Sequence, residues 1–275
     1  MFKTLKKNLV ISTVGDKSIH KNWSEPNDLY DTFLIYYGDQ EGFEGECNYY
    51  KRQNGYKYPL IQQVIKENPW IYDYEYIWLP DDDVYTTPLD VSRLFDIMKQ
   101  YDLWAAQPSI MGWYSIDATL HQQNSILRYT NWIEIMCPCF SSKALKICEQ
   151  SFNENNTGWS IEGVWNVLLN HPKDKMAIID DVIVVHTRQV LTGDTYKGKI
   201  DPLDFALSEG RAVHQKWNLG HEYSKDVQHG TLIQTDINFF VLYNQIKKDR
   251  VMGPDMSQRI FPNGDVVKQL IAKAS

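Results

Sequence analysis

Residues 76–83 read Tyr76-Ile77-Trp78-Leu79-Pro80-Asp81-Asp82-Asp83, an apolar run that ends in three consecutive acids. Pro80 has no backbone N–H donor and biases Leu79 towards extended geometry, so we expect a strand that stops at this proline. Three carboxylates at one strand end repel each other unless a cation joins them. The stretch therefore predicts a buried strand that delivers acidic ligands for a divalent metal ion to one edge of a sheet, with a solvated acidic turn as the alternative.

Two other apolar runs end in the same manner. Residues 9–14 precede Gly15-Asp16, and residues 32–37 precede Gly38-Asp39. Their hydrophobicity is continuous rather than alternating, which is typical of strands covered on both faces in a parallel sheet flanked by helices. We therefore expect the polar strand tips to line one ligand-binding edge.

Helical patterns and weaker segments separate these runs. We expect helices over residues 58–67, 90–100 with Asp90 as N-cap, 141–152, 160–169 and 201–217. Residues 103–140 are aromatic and irregular, which suits an acceptor site. Residues 176–185 contain a strand that ends at His186. We expect a strand or a helix over residues 237–248 and a short helix at the last residues. We expect one catalytic domain, residues 1–200, with a C-terminal extension, residues 201–275, packed on it.

Composition excludes several classes of protein. The chain has 275 residues, 43% of them hydrophobic, which is ample for a core, and a net charge of -7 gives no general basic surface for nucleic acid or anionic membrane. The four cysteines lack the spacing of a zinc ribbon. The apolar run after the basic N-terminus is too short for a signal peptide, and no stretch approaches the ~18 apolar residues that span a bilayer. We expect a cytoplasmic protein without stable membrane insertion.

A series of short motifs occurs in the order found in one protein family. The motifs are Ser12–Asp16, Tyr36–Asp39, Asp81–Asp83, Gln107–Ser109, Arg128–Asn131, Gly158-Trp159, and Asp180-Asp181 followed by His186-Thr187-Arg188. By these motifs the sequence resembles a group of bacterial, viral and plant proteins that is classed under a domain of unknown function and assigned to the GT-A glycosyltransferases. The resemblance implies an α/β GT-A-like fold, a mixed, mainly parallel sheet flanked by helices, with a nucleotide-sugar at the strand ends.

The same resemblance assigns roles to the acidic triplet, which corresponds to the Asp-x-Asp metal motif. It implies that Asp83 binds Mn²⁺ or Mg²⁺, and that Asp81 contacts the metal, the sugar or the ribose, while the role of Asp82 at the donor is left open. Either metal neutralises charge that develops on a nucleoside diphosphate leaving group. His186 lies in a family-like Asp-x-x-x-x-His segment and is implied as a further metal ligand; a structural hydrogen-bonding role is the alternative.

The candidate catalytic residue is Glu162, at a helix start after Gly158-Trp159. Inverting transfer needs a carboxylate that takes the proton from the acceptor hydroxyl as it attacks the anomeric carbon. The family more commonly has Gly-Trp-Gly-x-Asp, so Ser160 and Glu162 depart from its pattern. An ordinary first-turn acid that favours the helix dipole is the alternative.

Donor contacts are expected at the tips of the first two strands, which carry Thr13, Gly15, Asp16 and Asp39. The Asp39 carboxylate is a candidate acceptor for the N3–H of uracil, and Lys57 and Arg188 are candidates for phosphate contacts. The tip residues are equally typical of turns, and Arg188 of a surface ion pair.

The resulting hypothesis is a metal-dependent glycosyltransferase that moves a sugar from a nucleoside diphosphate, taken as a UDP-sugar, to an acceptor hydroxyl with inversion. A glycan is the preferred acceptor, because aromatic side chains suit sugar faces, and a modified base in DNA is the alternative. Two other hypotheses are a metal-dependent phosphohydrolase or nuclease that uses the same carboxylates to activate water, and a glycan-binding module without turnover.

Overall fold

The computed structural model describes residues 6–24, 27–40, 43–123, 125–219 and 227–232. Within these ranges the strands are β1 (Asn8–Val14), β2 (Asp31–Tyr36), β3 (Tyr49–Arg52), β4 (Tyr76–Trp78), β5 (Val84–Tyr85), β6 (Ala105–Gly112), β7 (Ser125–Thr130), β8 (Cys139–Ser141), β9 (Met176–His186) and β10 (Val227–Leu232). The α-helices are α1 (Lys21–Ser24), α2 (Lys57–Glu67), α3 (Pro88–Gln100), α4 (Ser142–Cys148), α5 (Ile161–Leu168) and α6 (Pro202–Trp217).

The strands form one mixed sheet in the order β10-β7-β9-β6-β8-β4-β1-β2-β3, and β5 pairs with β9. The block β4-β1-β2-β3 is parallel throughout, and β6 is parallel to β9. β8 runs antiparallel between β4 and β6 and joins these two parallel parts. The predicted fold class is confirmed, and the acidic triplet follows β4 at the carboxyl edge of the parallel block.

The continuous apolar runs are strands that bury both faces, as predicted. Along β1, Val10 and Val14 pack into the cluster that contains Val91 and other apolar residues of α3. Leu9 and Ile11 point to the opposite face, where they join the cluster built from α2, α4 and α5. Because successive side chains of a strand alternate between faces, one uninterrupted apolar run supplies both cores.

Two local predictions are wrong. The third helix begins at Pro88, not Asp90, and its N-cap is Thr87, whose Oγ1 accepts from the backbone N of Asp90 at 3.2 Å and donates to the Asp90 carboxylate at 2.7 Å. This reciprocal arrangement resembles a capping box. Residues 103–140 are not irregular, since they contain β6, β7 and part of β8; β6 is buried along its whole length despite Gln107, Pro108 and Ser109.

The described part of the C-terminal extension consists of α6 and β10. α6 approaches the start of α5 so closely that a Cβ on Gly210 would lie 2.8 Å from Oγ of Ser160, and β10 pairs antiparallel with β7. The elements predicted over residues 237–248 and at the chain end lie outside the described residues. No helix in the described part of the chain is both long and apolar enough to cross a membrane.

Candidate active site

A cavity of about 710 Å³ lies over the carboxyl ends of β1, β4 and β9. It is lined by the following residues that the sequence pointed to: Thr13, Lys57, Asp81, Asp82, Asp83, Glu162, His186 and Arg188. The remaining donor-site candidates, Gly15, Asp16 and Asp39, lie at the strand tips outside this lining. The fold therefore brings most of the predicted residues to one place.

Three segments of the chain fix the backbone of the acidic triplet. The backbone N of Asp81 donates to the carbonyl of Met136 at 2.7 Å. The carbonyl of Asp82 accepts from the backbone N of Ile19 at 2.9 Å and from Ser18 Oγ at 3.1 Å. The carbonyl of Asp83 accepts from both the backbone N and the hydroxyl of Thr187, at 3.0 and 2.8 Å. The three carboxylates consequently have set directions.

Asp81, Asp83 and His186 form a candidate metal centre, because each offers one ligand atom and these atoms lie within 4.8 Å of one another. Nδ1 of His186 lies 2.9 Å from the carbonyl of Trp113, which can only accept, so Nδ1 carries the proton and Nε2 faces Asp83 Oδ1 at 3.2 Å. That Oδ1 atom is buried and forms an ion pair with the imidazole. Carboxylate oxygens suit Mn²⁺ or Mg²⁺ and a neutral imidazole is a common metal ligand, so the residues fit a divalent metal ion.

The electrostatics of this group follow from burial and from the charges packed together. Burial raises the pKa of Asp81, and Lys57 partly opposes this. Burial also opposes ionisation of Asp83, but His186 and Arg188 hold the pKa of that carboxyl below its ordinary value. Burial alone would lower the pKa of His186, yet the charges of Asp83 and Asp81 raise it to about 9. Three carboxylates are thus packed together with three cationic partners, Lys57, His186 and Arg188.

Asp82 connects three strand ends rather than joining the three-residue metal group. Its carboxylate accepts from the backbone N of Gly15 at 3.0 Å, from the Tyr37 hydroxyl at 3.1 Å and from Arg188 Nη2 at 2.7 Å. Burial raises its pKa to about 6, although Arg188 acts in the opposite direction. Arg188 also approaches Asp83, with Nε 3.3 Å from Oδ2. Arg188 thus pairs with two buried carboxylates while its guanidinium lines the cavity, and the phosphate contact stays a prediction.

Lys57 is bound to protein acceptors on three sides. Its Nζ lies 2.6 Å from Asp81 Oδ1 and 2.8 and 3.0 Å from the carbonyls of Ile135 and Met136. An ammonium group has three N–H donors, so these contacts match its capacity. Lys57 therefore fixes Asp81 against the chain that precedes β8, and the phosphate contact stays a prediction.

Asp16 organises the loop that follows β2. Its carboxylate accepts from the Tyr36 hydroxyl and from the backbone N atoms of Asp39 and Gln40 at 3.1 and 3.3 Å. Gly38 is required beside it, because a Cβ there would lie 2.1 Å from Asp16 Oδ1. Asp16 and Asp39 are both exposed. The contacts of Asp16 with the backbone of Asp39 and Gln40 are those of a turn-forming residue.

Glu162 reaches the cavity from the first turn of α5. Two left-handed residues precede it, Gly158 at φ 80° and Ser160 at φ 71°. A Cβ on Gly158 would lie 2.9 Å from the Tyr58 ring, so the glycine allows both the turn and the close approach. Ser160 occupies a left-handed conformation in which glycine would be unstrained.

Several cavity residues were missed by sequence reasoning, namely Tyr37, Ser115, Glu134, Tyr196 and His214. One of them left a usable signal: Glu134 interrupts the apolar run Trp132-Ile133-Glu134-Ile135-Met136, and an acid within a buried run is unusual. Tyr37 lies in the motif Tyr36–Asp39 but was not singled out, and nothing in the local sequence of Ser115, Tyr196 and His214 marks them.

No family model and no curated protein matches the chain. Among solved structures it is similar to GalNAc-T7 with UDP, GalNAc and Mn²⁺, at 10% identity and a TM-score of 0.53, over 78% of this chain and 50% of that one. It is also similar to S. aureus TarS, at 10% identity and a TM-score of 0.45, over 79% of this chain and 46% of that one. A further similar structure is S. aureus TarS 1-349 in complex with UDP-GlcNAc, at 10% identity and a TM-score of 0.48, over 94% of this chain and 83% of that one.

The chain spans about half the length of the GalNAc-T7 chain and of the longer TarS chain. At this level of identity the similarity concerns the fold, and the narrower family resemblance remains a prediction from motifs. The chain has the mixed α/β fold of the GT-A nucleotide-diphospho-sugar transferases.

Proposed function

We propose that this protein is a metal-dependent glycosyltransferase that moves a sugar from a nucleoside diphosphate to an acceptor hydroxyl. The observation that supports this most strongly is the grouping of Asp81, Asp83 and His186 at the cavity over the parallel strand ends. In open α/β sheets, ligands bind in the crevice at the carboxyl ends of the strands. The related fold of GalNAc-T7 was solved with UDP, GalNAc and Mn²⁺, the combination of ligands that the proposal requires.

Asp81, Asp83 and His186 are the residues that would hold Mn²⁺ or Mg²⁺. When bound, the metal neutralises negative charge on the diphosphate leaving group. Trp113 fixes the imidazole tautomer that presents Nε2, and Lys57 fixes Asp81. These supporting contacts set the ligand directions before a donor enters.

The donor is proposed to be a UDP-sugar whose nucleotide lies towards β1 and β2. Thr13 lines the cavity at the end of β1, and Tyr37 lines it just beyond β2. Arg188 faces the same cavity beside the triplet and is placed to contact a phosphate. Gly15 and Asp16 would act indirectly, by holding Asp82 and the β2 tip, and Asp39 would reach the base only from outside the cavity lining.

Glu162 is proposed as the general base for inverting transfer. It reaches the same cavity as the metal group from a different element, α5, so the acceptor and the diphosphate can lie on opposite sides of the anomeric carbon. Its carboxylate would take the proton of the acceptor hydroxyl as that oxygen attacks.

The acceptor is proposed to be a glycan. Trp159 and Tyr196 line the cavity on the side of α5, and a side-chain hydrogen bond joins them. Aromatic rings with polar tips suit sugars, which present apolar faces and hydroxyl edges. No observation on the described residues favours a modified base in DNA.

Differential scanning fluorimetry with a donor panel tests the proposal. We expect a nucleotide-sugar, with Mn²⁺, to raise the melting temperature more than Mn²⁺ alone, because a ligand that binds the native state stabilises it. In a second assay, we expect the donor that stabilises the protein to release UDP when glycan acceptors are added. Hydrolysis of a simple phosphoester, with no response to any nucleotide-sugar, would instead favour the phosphohydrolase hypothesis.

A further inference from the structure

Glu134 is a buried carboxylate in the wall of the cavity, with only 4% of its surface exposed. It lies in the connection between β7 and β8. The hydroxyl of Ser115 donates to its Oε1, and its backbone N donates to the side chain of the fully buried Gln107. A buried carboxylate is stabilised by the hydrogen bonds that it accepts, and one that lines a cavity can accept them from a ligand as well as from the protein.

The connection that carries Glu134 is fixed to the candidate metal centre. The backbone N of Asp81 donates to the carbonyl of Met136, and the backbone N of Leu79 donates to that of Pro138 at 2.8 Å. Lys57 and the Tyr58 hydroxyl both donate to the carbonyl of Ile135, at 2.8 and 2.7 Å. The position of Glu134 relative to Asp81 is therefore set by direct backbone contacts.

Strand order places Glu134 on the side of β4 opposite to β1 and β2. From β4, which delivers the triplet, β1 and β2 lie on one side and β8 lies on the other. Thr13 and Tyr37 belong to the first side, and Glu134 precedes β8 on the second. A donor whose nucleotide lies over β1 and β2, with its diphosphate at the triplet, would extend its sugar towards Glu134.

Three carboxylates in the cavity lining, those of Asp81, Glu134 and Glu162, act on one group, the Tyr58 hydroxyl. Burial raises the pKa of the Tyr58 hydroxyl well above its ordinary value, and the negative charges of Asp81, Glu162 and Glu134 all act in the same direction. Glu134 is thus near enough to the candidate metal ligand and the candidate base to share their surroundings. Carboxylates accept strongly from hydroxyl groups, and sugars offer several.

We infer that Glu134 is a specificity-determining residue that accepts a hydrogen bond from a hydroxyl of the transferred sugar, with Ser115 orienting its carboxylate. The inference rests on the proposed function, since it needs a nucleotide-sugar donor. It assigns the sugar, rather than the nucleotide, to the β7–β8 connection. Removing the negative charge should therefore affect binding of the sugar and leave binding of the nucleotide unchanged.

Calorimetric titration of the full chain in Mn²⁺ tests this directly. The probes are UDP and whichever of UDP-glucose, UDP-galactose, UDP-GlcNAc and UDP-GalNAc binds the wild type most tightly. We expect Glu134→Gln to weaken the UDP-sugar about tenfold and to leave UDP unchanged, because hydrogen bonds to charged groups contribute more than neutral ones. Ser115→Ala should produce a smaller loss of the same kind.

The comparison of UDP with UDP-sugar within each variant separates recognition from folding. A purely structural residue would change both affinities together or neither, and either outcome overturns the inference while the proposed function stands. If the wild type binds UDP but none of the four UDP-sugars more tightly than UDP, Glu134 has no sugar to recognise and the inference also fails. Absence of binding of every nucleotide and nucleotide-sugar to the wild type overturns the proposed function itself.

Discussion

Nε2 of His186 lies 3.2 Å from Oδ1 of Asp83, although the two residues are far apart in the sequence. The short strand β5 accounts for the proximity, because Val84 pairs directly with His186 at the end of β9. The carbonyl of Asp83 is in turn held by Thr187. A pairing of only two residues therefore brings an imidazole to the acidic triplet.

Asp83→Asn should reduce donor turnover in Mn²⁺ by at least about 100-fold, because it removes a charged ligand from the metal group. UDP release from the best donor is the measurement. Asp96→Asn is the matched control, since Asp96 is an exposed α3 carboxylate outside the cavity lining. Full activity in the Asp83 variant would remove this residue from the metal site.

Glu162→Gln should preserve donor affinity and reduce transfer about 10²- to 10⁴-fold, the usual contribution of a general base. Donor binding is measured by calorimetry and transfer by product formation. Glu67→Gln is the control, because Glu67 is an exposed α2 residue paired with Lys51. A parallel loss of binding and transfer would indicate that Glu162 binds the donor and does not act as a base.

Ser160→Val should destabilise the protein by about 2 kcal/mol, whereas Ser160→Gly should stay within about 1 kcal/mol of the wild type. Ser160 has a left-handed backbone at φ 71°, which a β-branched residue adopts with strain. Its side chain also lies against Gly210. Urea unfolding gives both values, and equal stability of the two variants would show that this turn places no left-handed constraint on residue 160.

Arg128→Ala should cost about 3–5 kcal/mol, because it leaves the carboxylate of Asp180 buried without its ion pair. Arg128 Nε and Nη2 lie 2.7 and 3.0 Å from that carboxylate, and both residues are almost fully buried. Lys99→Ala is the control, since its pair with Glu75 is exposed and should contribute at most about 1 kcal/mol. Similar losses in the two variants would show that burial does not strengthen the Arg128 pair.

Stability should fall as pH drops below about 6.5, and His20 should account for part of the slope. Burial lowers the pKa of His20, although its partner Glu46 acts against this. A histidine with a lowered folded-state pKa binds its proton more readily when unfolded, so acid favours unfolding between the folded-state pKa and about 6.5.

Urea unfolding of the wild type and His20→Gln between pH 7.5 and 5.5 measures this contribution. In the variant, the free energy of unfolding should depend less steeply on pH, by up to about 1.4 kcal/mol per pH unit, the limit for one proton. An unchanged slope would show that His20 titrates alike in the folded and unfolded chain.

Much of the parallel block was predictable from the sequence because its strands are buried on both faces. A continuous apolar run as short as residues 9–14 is typical of such a strand, and polar tips at parallel strand ends must share one edge. The acidic triplet was found because it follows such an apolar strand. The strands within residues 103–140 were missed because β6 and β7 include proline, glutamine and arginine, which are unusual in buried strands. Arg128 can be buried because it forms an ion pair with Asp180, and that pair depends on the tertiary fold.

The site itself was predictable in its residue types more than in its contacts. Lys57 was expected at a phosphate, but the chain before β8 supplies carbonyls that engage it beside Asp81. The sequence marks Glu134 as an acid within an apolar run, but its position at the cavity depends on how β8 inserts between β4 and β6. Such contacts join segments that are distant in sequence, and no local periodicity encodes them.

The central claim is that Asp81, Asp83 and His186 hold a divalent metal, and anomalous diffraction at the manganese absorption edge tests it most directly. The measurement uses a crystal of the full chain grown with MnCl₂ and UDP. We expect one strong peak within coordination distance of the Asp83 carboxylate and Nε2 of His186, with Asp81 adjacent. A manganese peak elsewhere in the chain, or none between these residues at saturating Mn²⁺, would contradict the claim.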